Sequence, residues 1–322
     1  MKEVTIGIDI GGTNTKIGIV DREGSCLVYK SIETAADQPV EVFLSLLFKA
    51  IEDLKETLTE PHDIKAVGIG APNGNYYAGT IEKAANLKGW GDYVPLANII
   101  SERLGIPVSL TNDANAAALG EMKYGVAKGM KNFIVITLGT GLGSGIIVNG
   151  DLLYGHDGFA GEFGHINVVP NGRQCGCGSK GCLETYVSAT GLVRNMIELI
   201  AENNGGSHLD QYNFHTISSK MIFDAAEDGD PIAAQAFEMT GEILGKALAD
   251  AIAIFSPEAI ILFGGMASSG DRIMEPTRRA MEEHTIRVFK GKTKLLISDL
   301  KGDNTAILGA SALAWQELDK TK

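Results

Sequence analysis

The chain has 322 residues, 44% of them hydrophobic and 21% charged, and a formal net charge of −12. That length accommodates two domains with cores of their own, and an acidic balance without a basic arm or patch argues against a nucleic-acid partner held through phosphate contacts. No apolar run reaches the length of a membrane span, and Met1-Lys2-Glu3 leads straight into a strand pattern rather than a signal peptide, so the expected compartment is the cytoplasm and no membrane partner is expected. A phosphorylated small ligand stays open, because backbone amides and a metal ion hold phosphate without net positive charge.

From Val4 the sequence runs V-T-I-G-I-D-I, a G-G-T-N-T loop, K-I-G-I-V, a turn over Asp21 to Gly24, and S-C-L-V-Y. This reads as an antiparallel three-stranded meander, with Cys26 a packing thiol. Phe43, Leu46, Leu47, Ala50, Ile51 and Leu54 recur at helical spacing between Pro39 and Pro61, so a helix follows. The strand A-V-G-I-G enters a Pro- and Gly-bearing loop over Ala71 to Asn75. Residues Tyr76 to Tyr93 read as loop, and a short helix over Leu96 to Leu104 leads to the strand P-V-S-L-T. Asn112 and Asp113 then stand at the mouth of an alanine-rich helix.

The second half repeats the first. N-F-I-V-I-T-L-G-T-G-L-G-S-G-I-I-V is again strand, Gly-rich loop and strand. A cysteine-bearing stretch and a polar segment near Gly205 to His215 interrupt the repeat. It resumes with a long helix from Asp230-Pro231 that sets Ala236, Phe237, Thr240, Ile243, Leu244, Ala247, Leu248 and Ala251 on one face. Strand A-I-I-L-F, loop Gly264-Gly265-Met266, a helix, strand T-K-L-L-I-S and a helix from about Thr305 close the chain. The pattern predicts an α/β fold built from a duplicated βββαβαβα unit, with two lobes around a nucleotide cleft. Residues 1–116 with 304–322 are the expected smaller lobe and 117–303 the larger, with the last helix crossing back onto the first lobe.

The Gly-rich loops recur at corresponding places of the repeat, which a merely convenient turn does not predict. Gly11, Gly12, Thr13 and Asn14, with Lys16 just beyond, and Gly139, Thr140 and Gly141 present backbone N–H groups to a phosphate, and Gly264-Gly265 adds a third loop. These are the residues expected to hold ATP. Asp9, at the end of the first strand, is placed to hold Mg2+ through water. Asp113 is open to two readings, an N-cap that Asn112 supplies equally well and a carboxylate that orients or deprotonates an acceptor hydroxyl.

The strongest local signal is G-E-F-G-H-I-N-V-V-P-N-G-R-Q-C-G-C-G-S-K-G-C-L-E, from Gly161 to Glu184. His165, Cys175, Cys177 and Cys182 make the donor set of a closed tetrahedral zinc site, whereas a disulfide would strand the third thiol. Glu162 and Glu184 bracket that set, so a structural metal anchors acidic groups and an imidazole beside a neighbouring ligand.

D-I-G-G-T-N, T-N-D-A-N, L-G-T-G-L-G-S-G, G-E-F-G-H and C-G-C-G-S-K-G-C-L-E, in this order over nearly the whole chain, resemble the ROK family of sugar kinases and repressors. That family belongs to the actin, Hsp70 and hexokinase superfamily of ribonuclease H-like folds. A-P-N-G-N-Y-Y-A-G-T-I-E and N-L-K-G-W are similar to its glucokinase members. The resemblance implies an ATP-dependent hexose kinase with Asp113 as base on the sugar 6-hydroxyl, Asn86, Asn112, Glu162, His165 and Glu184 as further sugar contacts, and zinc on His165 and the three cysteines. It also implies a homodimer or a dimer of dimers. Within the family, N-acetylmannosamine kinase and fructokinase are the alternatives, and a sugar-responsive repressor is the rival of a different class. A repressor is expected to carry a helix-turn-helix, for which a first strand starting at Val4 is read as leaving no room. Ser144 stands where many members have glycine, which is expected to matter little because the loop acts through its backbone.

Overall fold

The computed structural model describes residues 1–300 and 304–320. The chain starts with the expected meander, β1 (Lys2–Ile10), β2 (Asn14–Asp21) and β3 (Cys26–Glu33), followed by helix α1 (Val40–Thr57) and strand β4 (His62–Ala71). The stretch expected as loop folds instead into three short strands, β5 (Gly74–Asn75), β6 (Thr80–Glu82) and β7 (Tyr93–Val94), which form a small sheet of their own. Strands of two or three residues are too short to show an alternation, so periodicity gives them no signal. Helix α2 (Leu96–Leu104), strand β8 (Val108–Asn112) and helix α3 (Asp113–Tyr124) complete the first half.

The second half holds β9 (Phe133–Leu138), β10 (Leu142–Val148), β11 (Asp151–Leu152), α4 (Ala189–Glu202), α5 (Ser219–Glu227), α6 (Pro231–Phe255), β12 (Ala259–Phe263), α7 (Asp271–His284) and β13 (Lys294–Ile297), and α8 (Thr305–Lys320) ends it. The two five-stranded sheets run β3-β2-β1-β4-β8 and β11-β10-β9-β12-β13, the same order in each half of the repeat. Helices α4 and α5, which flank the polar segment, are additions that the repeat pattern does not contain. Each is opened by a serine, Ser188 and Ser218, whose hydroxyl accepts an N–H of the first turn.

Contacts divide the chain into one unit of Met1–Met130, Leu152–Ala160 and the described part of 299–322, and a second of Lys131–Asp151 and Gly161–Ser298. Helix α3 lies whole in the first unit, where it packs on α8. The expected boundary residues 301–303 and the tail 321–322 lie outside the described residues. No helix among the described residues is long and apolar enough to cross a membrane.

The first sheet has two unlike faces. Val4, Ile6, Ile8 and Ile10 of β1 and Val67, Ile69 and Ala71 of β4 join Phe43, Leu47 and Ile51 of α1 in a fully apolar core. The opposite face has a central strip without side chains, because Gly18, Gly7 and Gly68 are paired neighbours across β2, β1 and β4. Helix α8 lies directly on that row: a methyl group at Gly7 would overlap the Ile307 carbonyl oxygen, and one at Gly68 the Ala310 carbonyl oxygen. The Thr5 and Ser311 hydroxyls bond at 2.8 Å beside the row. Helix α8 in turn touches α3 through Gly309 and Gly120, where a methyl at Gly120 would stand 3.1 Å from the Gly309 Cα.

Gly68→Ala is expected to destabilise the first unit by about 3 kcal/mol, the upper range for overpacking, since backbone on both sides leaves nothing flexible to yield. Urea unfolding checks this; a loss below about 0.5 kcal/mol, the scatter of neutral surface changes, would mean that α8 does not rest on the glycine row.

Candidate functional site

Strands β1, β4 and β8 are parallel, so their C-terminal ends share one edge, the side on which open α/β sheets bind ligands. On the face of the glycine row, Lys16, Asp9, Gly70 and Thr111 are successive partners across this edge. Asp113 follows two residues after Thr111, and a methyl at Gly70 would lie 3.7 Å from its Cα and 4.0 Å from an Asp9 carboxyl oxygen. Gly70 thus keeps the floor open under two carboxylates.

Asn112 is the N-cap of α3: its side-chain oxygen accepts the N–H groups of Ala114 at 2.8 Å and Asn115 at 3.1 Å. Asp113, the first helical residue, is therefore released from capping the helix, although one of its oxygens also accepts the Ala114 N–H at 2.8 Å. Its carboxyl is reached by solvent yet hemmed in by protein, and the lost hydration pushes its pKa up against that hydrogen bond. Loss of hydration and the nearby Asp113 charge together raise Asp9 to about 6, with Lys16 opposing.

The first glycine loop is a tight turn, with the Gly11 N–H on the Asn14 carbonyl at 3.0 Å. Thr34 fixes it from the side: its hydroxyl donates to the Gly11 carbonyl at 2.8 Å, its N–H to the Thr13 carbonyl at 2.9 Å, and its oxygen meets that of Thr15 at 2.9 Å. Asn86 stands over Gly12, where a methyl would come within 3.3 Å of its Cβ. The neighbours of Asn86 explain its position, since Leu87 and Trp90 are buried and the Trp90 ring packs on Phe43 with centroids 4.5 Å apart.

In the second unit the four expected metal ligands come together, with one donor atom from each of His165, Cys175, Cys177 and Cys182 all within 4.8 Å of one another. Cys177 and Cys182 Sγ are 3.7 Å apart, and Cys175 Sγ is 3.6 Å from His165 Nδ1. A tetrahedron with zinc–sulfur arms of about 2.3 Å has edges of about 3.8 Å, so the donor set fits zinc in both chemistry and spacing. The thiols are unlike: the Ser179 N–H lowers Cys177 to about 7, whereas lost hydration raises Cys175, and Cys182 to about 12. His165 Nε2 points the other way and lies 3.8 Å from a Glu162 oxygen. One Glu184 oxygen is 3.7 Å from Cys175 Sγ, and the other accepts the Leu142 N–H at 3.1 Å, so this residue joins the cysteine cluster to the second glycine loop.

That loop, Gly139 to Gly141, closes on itself with the Gly139 N–H on the Gly141 carbonyl at 3.0 Å. It abuts the start of α4, where the Ala189 N–H reaches the Gly139 carbonyl at 2.9 Å and the Thr190 hydroxyl the Thr140 carbonyl. Gly264 and Gly265 follow β12, and Gly265 opens onto a cavity of about 340 Å³ lined by Lys220, Phe223, Met266 and serines. Thr34 and Arg173 were not legible as site residues. Arg173 ties the metal loop down, with its guanidinium on the Thr185 carbonyl at 2.8 Å and Asn195 at 2.7 Å and over the Tyr186 ring at 4.4 Å. Only its place two residues before Cys175 hints at this.

The raised Asp9 pKa gives a signed pH dependence. Between about 4, where the unfolded carboxyl ionises, and about 6, the native chain holds a proton that the unfolded chain has lost, so stability falls as pH rises through that window. Asp9→Asn removes this loss. Without added magnesium, its melting temperature is expected to exceed the parent's by more at pH 7 than at pH 4; a gap independent of pH would show that Asp9 titrates normally.

A model of the ROK family matches residues 5–317. A glucokinase from Streptomyces coelicolor is 37% identical over 97% of each chain, and a xylose repressor from Caldicellulosiruptor bescii is 30% identical over 97% of this chain and 78% of the repressor. Among solved structures, a ROK family glucokinase from Streptomyces griseus in complex with glucose and AMPPNP superposes with a TM-score of 0.80 at 37% identity, over 97% of this chain and 99% of that one. With the match running through the glycine loops, the Asn112-Asp113 helix start and the cysteine cluster, the chain belongs to the ROK family.

Proposed function

We propose that the protein is an ATP-dependent hexose kinase of the glucokinase kind, transferring the γ-phosphate to the 6-hydroxyl of glucose with Asp113 as general base. The observation that carries this reading is the division of labour at the start of α3, where Asn112 caps the helix and leaves Asp113 with a raised pKa beside Asp9. A carboxylate with a raised pKa is better matched to taking a hydroxyl proton near neutral pH than an ordinary one. The near-full-length likeness to glucokinases supports the substrate class. The likeness to xylose repressors favours a second reading, sugar sensing without transfer, but a sensor has no need of a released carboxylate.

In the proposed reaction the hexose 6-oxygen attacks the γ-phosphorus as Asp113 accepts its proton, and the bond to the ADP oxygen breaks. The loops Gly11 to Asn14 and Gly139 to Gly141 are assigned to the phosphates, the Gly11 and Gly139 N–H groups closing the turns and the other loop N–H groups serving the ligand, with Lys16 alongside, and the cavity at Gly265 beside Gly264 is assigned to the adenosine. Asp9 would hold Mg2+, which when bound neutralises charge on the phosphates. Asn86, Asn112, Glu162, His165 and Glu184 are assigned to sugar hydroxyls. His165 would ligate zinc through Nδ1, leaving Nε2 to a hydroxyl, and the metal when bound supplies rigidity rather than chemistry. Assembly as a homodimer or a dimer of dimers belongs to the same reading, and light scattering tests it.

Asp113→Asn should lower kcat by about 10² to 10⁴ with hexose and ATP binding nearly unchanged. Steady-state kinetics with calorimetric binding check this, and a variant keeping more than about a tenth of kcat would remove Asp113 as base. Chelating zinc, or replacing the buried Cys182 in Cys182→Ser, should raise the hexose KM and lower the melting temperature while ATP affinity holds. ATP affinity lost with hexose affinity intact would reverse the assignment of the two loops and the cluster.

A further inference from the structure

Thr34 follows the last residue of β3, is fully buried, and holds the first glycine loop by two carbonyls. Its hydroxyl donates to the Gly11 carbonyl at 2.8 Å and its N–H to the Thr13 carbonyl at 2.9 Å. A hydroxyl has one proton to give, so the 2.9 Å contact between the Thr34 and Thr15 hydroxyls has Thr15 as the donor. The segment that carries Thr34 is itself pinned. The chain turns at Ala35, where φ is 51°, and the Ala36 carbonyl accepts the Gly89 N–H at 2.7 Å, next to the buried Trp90. All of these residues belong to the first unit.

These two bonds fix more than the carbonyls they reach. A trans peptide is planar, with its C=O and N–H pointing opposite ways, and every peptide bond among the described residues is trans. With the Gly11 carbonyl on the Thr34 hydroxyl, the Gly12 N–H is turned away from Thr34. With the Thr13 carbonyl on the Thr34 N–H, the Asn14 N–H is turned away likewise. No backbone carbonyl among the described residues accepts the Gly12 N–H, which leaves it for an anion. We propose that Thr34 is a positioning residue for the nucleotide: without touching it, Thr34 sets the direction in which the Gly12 and Asn14 N–H groups meet a phosphate. The inference rests on the kinase reading above, which assigns this loop to the phosphates, and adds a residue from outside the loop. The bonds of Thr34 run to Gly11, Thr13 and Thr15, none of them assigned to the hexose, so nucleotide affinity should respond to Thr34 and hexose affinity should not.

Thr34→Val is the selective test, since it keeps the shape and the backbone bond to Thr13 but takes the donor from the Gly11 carbonyl. Thr34→Ser keeps the hydroxyl and serves as the rescue. Thr15→Val controls for stability, because it too loses one buried hydroxyl yet leaves the Thr34 hydroxyl on Gly11. Calorimetry with ATP and Mg2+, calorimetry with glucose, and steady-state kinetics are run on all three. Thr34→Val is expected to raise the ATP Kd and KM about tenfold, the usual scale for one hydrogen bond to a charged group, with kcat changed less than KM. Thr34→Ser and Thr15→Val should stay within about threefold of the parent, and the glucose Kd should hold in every variant. An ATP Kd unchanged in Thr34→Val, an equal loss in Thr15→Val, or a glucose Kd rising by the same factor overturns the positioning role. Should Thr34→Val not fold, NMR of the parent decides: the Gly12 and Asn14 amide signals are expected to shift on adding ATP and Mg2+, and unmoved signals overturn the proposal. A parent that binds ATP but transfers no phosphate to glucose overturns the kinase reading while the ATP titrations still decide the role of Thr34; a parent that binds no ATP overturns both.

Discussion

Helix α8 rests on the backbone of β1 and β4, and no residue but glycine at Gly7 and Gly68 permits that approach. The contact replaces side-chain packing with dense backbone packing, so the helix is held at a fixed height over the sheet. Through Gly309 and Gly120 it holds α3 as closely, and α3 begins at Asp113. The glycine row, which faces no ligand, is therefore what places the proposed base at the sheet edge.

At that edge burial and charge act together. Lost hydration and the Asp113 charge raise Asp9, and lost hydration alone raises Asp113. The start of α3 favours the ionised form of Asp113 through its helix dipole, which limits how far lost hydration lifts the pKa. The result is a carboxyl that takes a proton more readily than an ordinary one. In the second unit, Glu184 is held from two sides, by the Leu142 N–H and by Cys175, so the cysteine cluster fixes the placement of a proposed sugar contact.

Elements with long, regular apolar patterns were legible. The meander, α1 with Phe43, Leu47 and Ile51 inward, α2 and the Asp230-capped α6 all follow from spacing and caps. Leu46, read onto the buried face of α1, is 37% exposed, because it lies at the edge of the stripe rather than its centre. The strands β5 to β7 escaped because they owe their pairing to the core around Trp90 and not to their own composition. Helices α4 and α5 escaped because the repeat pattern had no place for them. The cysteine spacing announced the donor cluster. Thr34 and Arg173 act through hydrogen bonds to carbonyls far along the chain, which no local pattern encodes, and which of Asn112 and Asp113 caps the helix is a matter of side-chain direction.

Phosphoryl transfer to a hexose is tested most directly by its product. The purified chain, with ATP, Mg2+ and in turn glucose, mannose, fructose and N-acetylmannosamine, is followed by phosphorus NMR. Glucose 6-phosphate and ADP are expected in equal amounts, with glucose the preferred acceptor. ATP left intact, or hydrolysed to inorganic phosphate with no phosphorylated sugar from any of these hexoses, would contradict it.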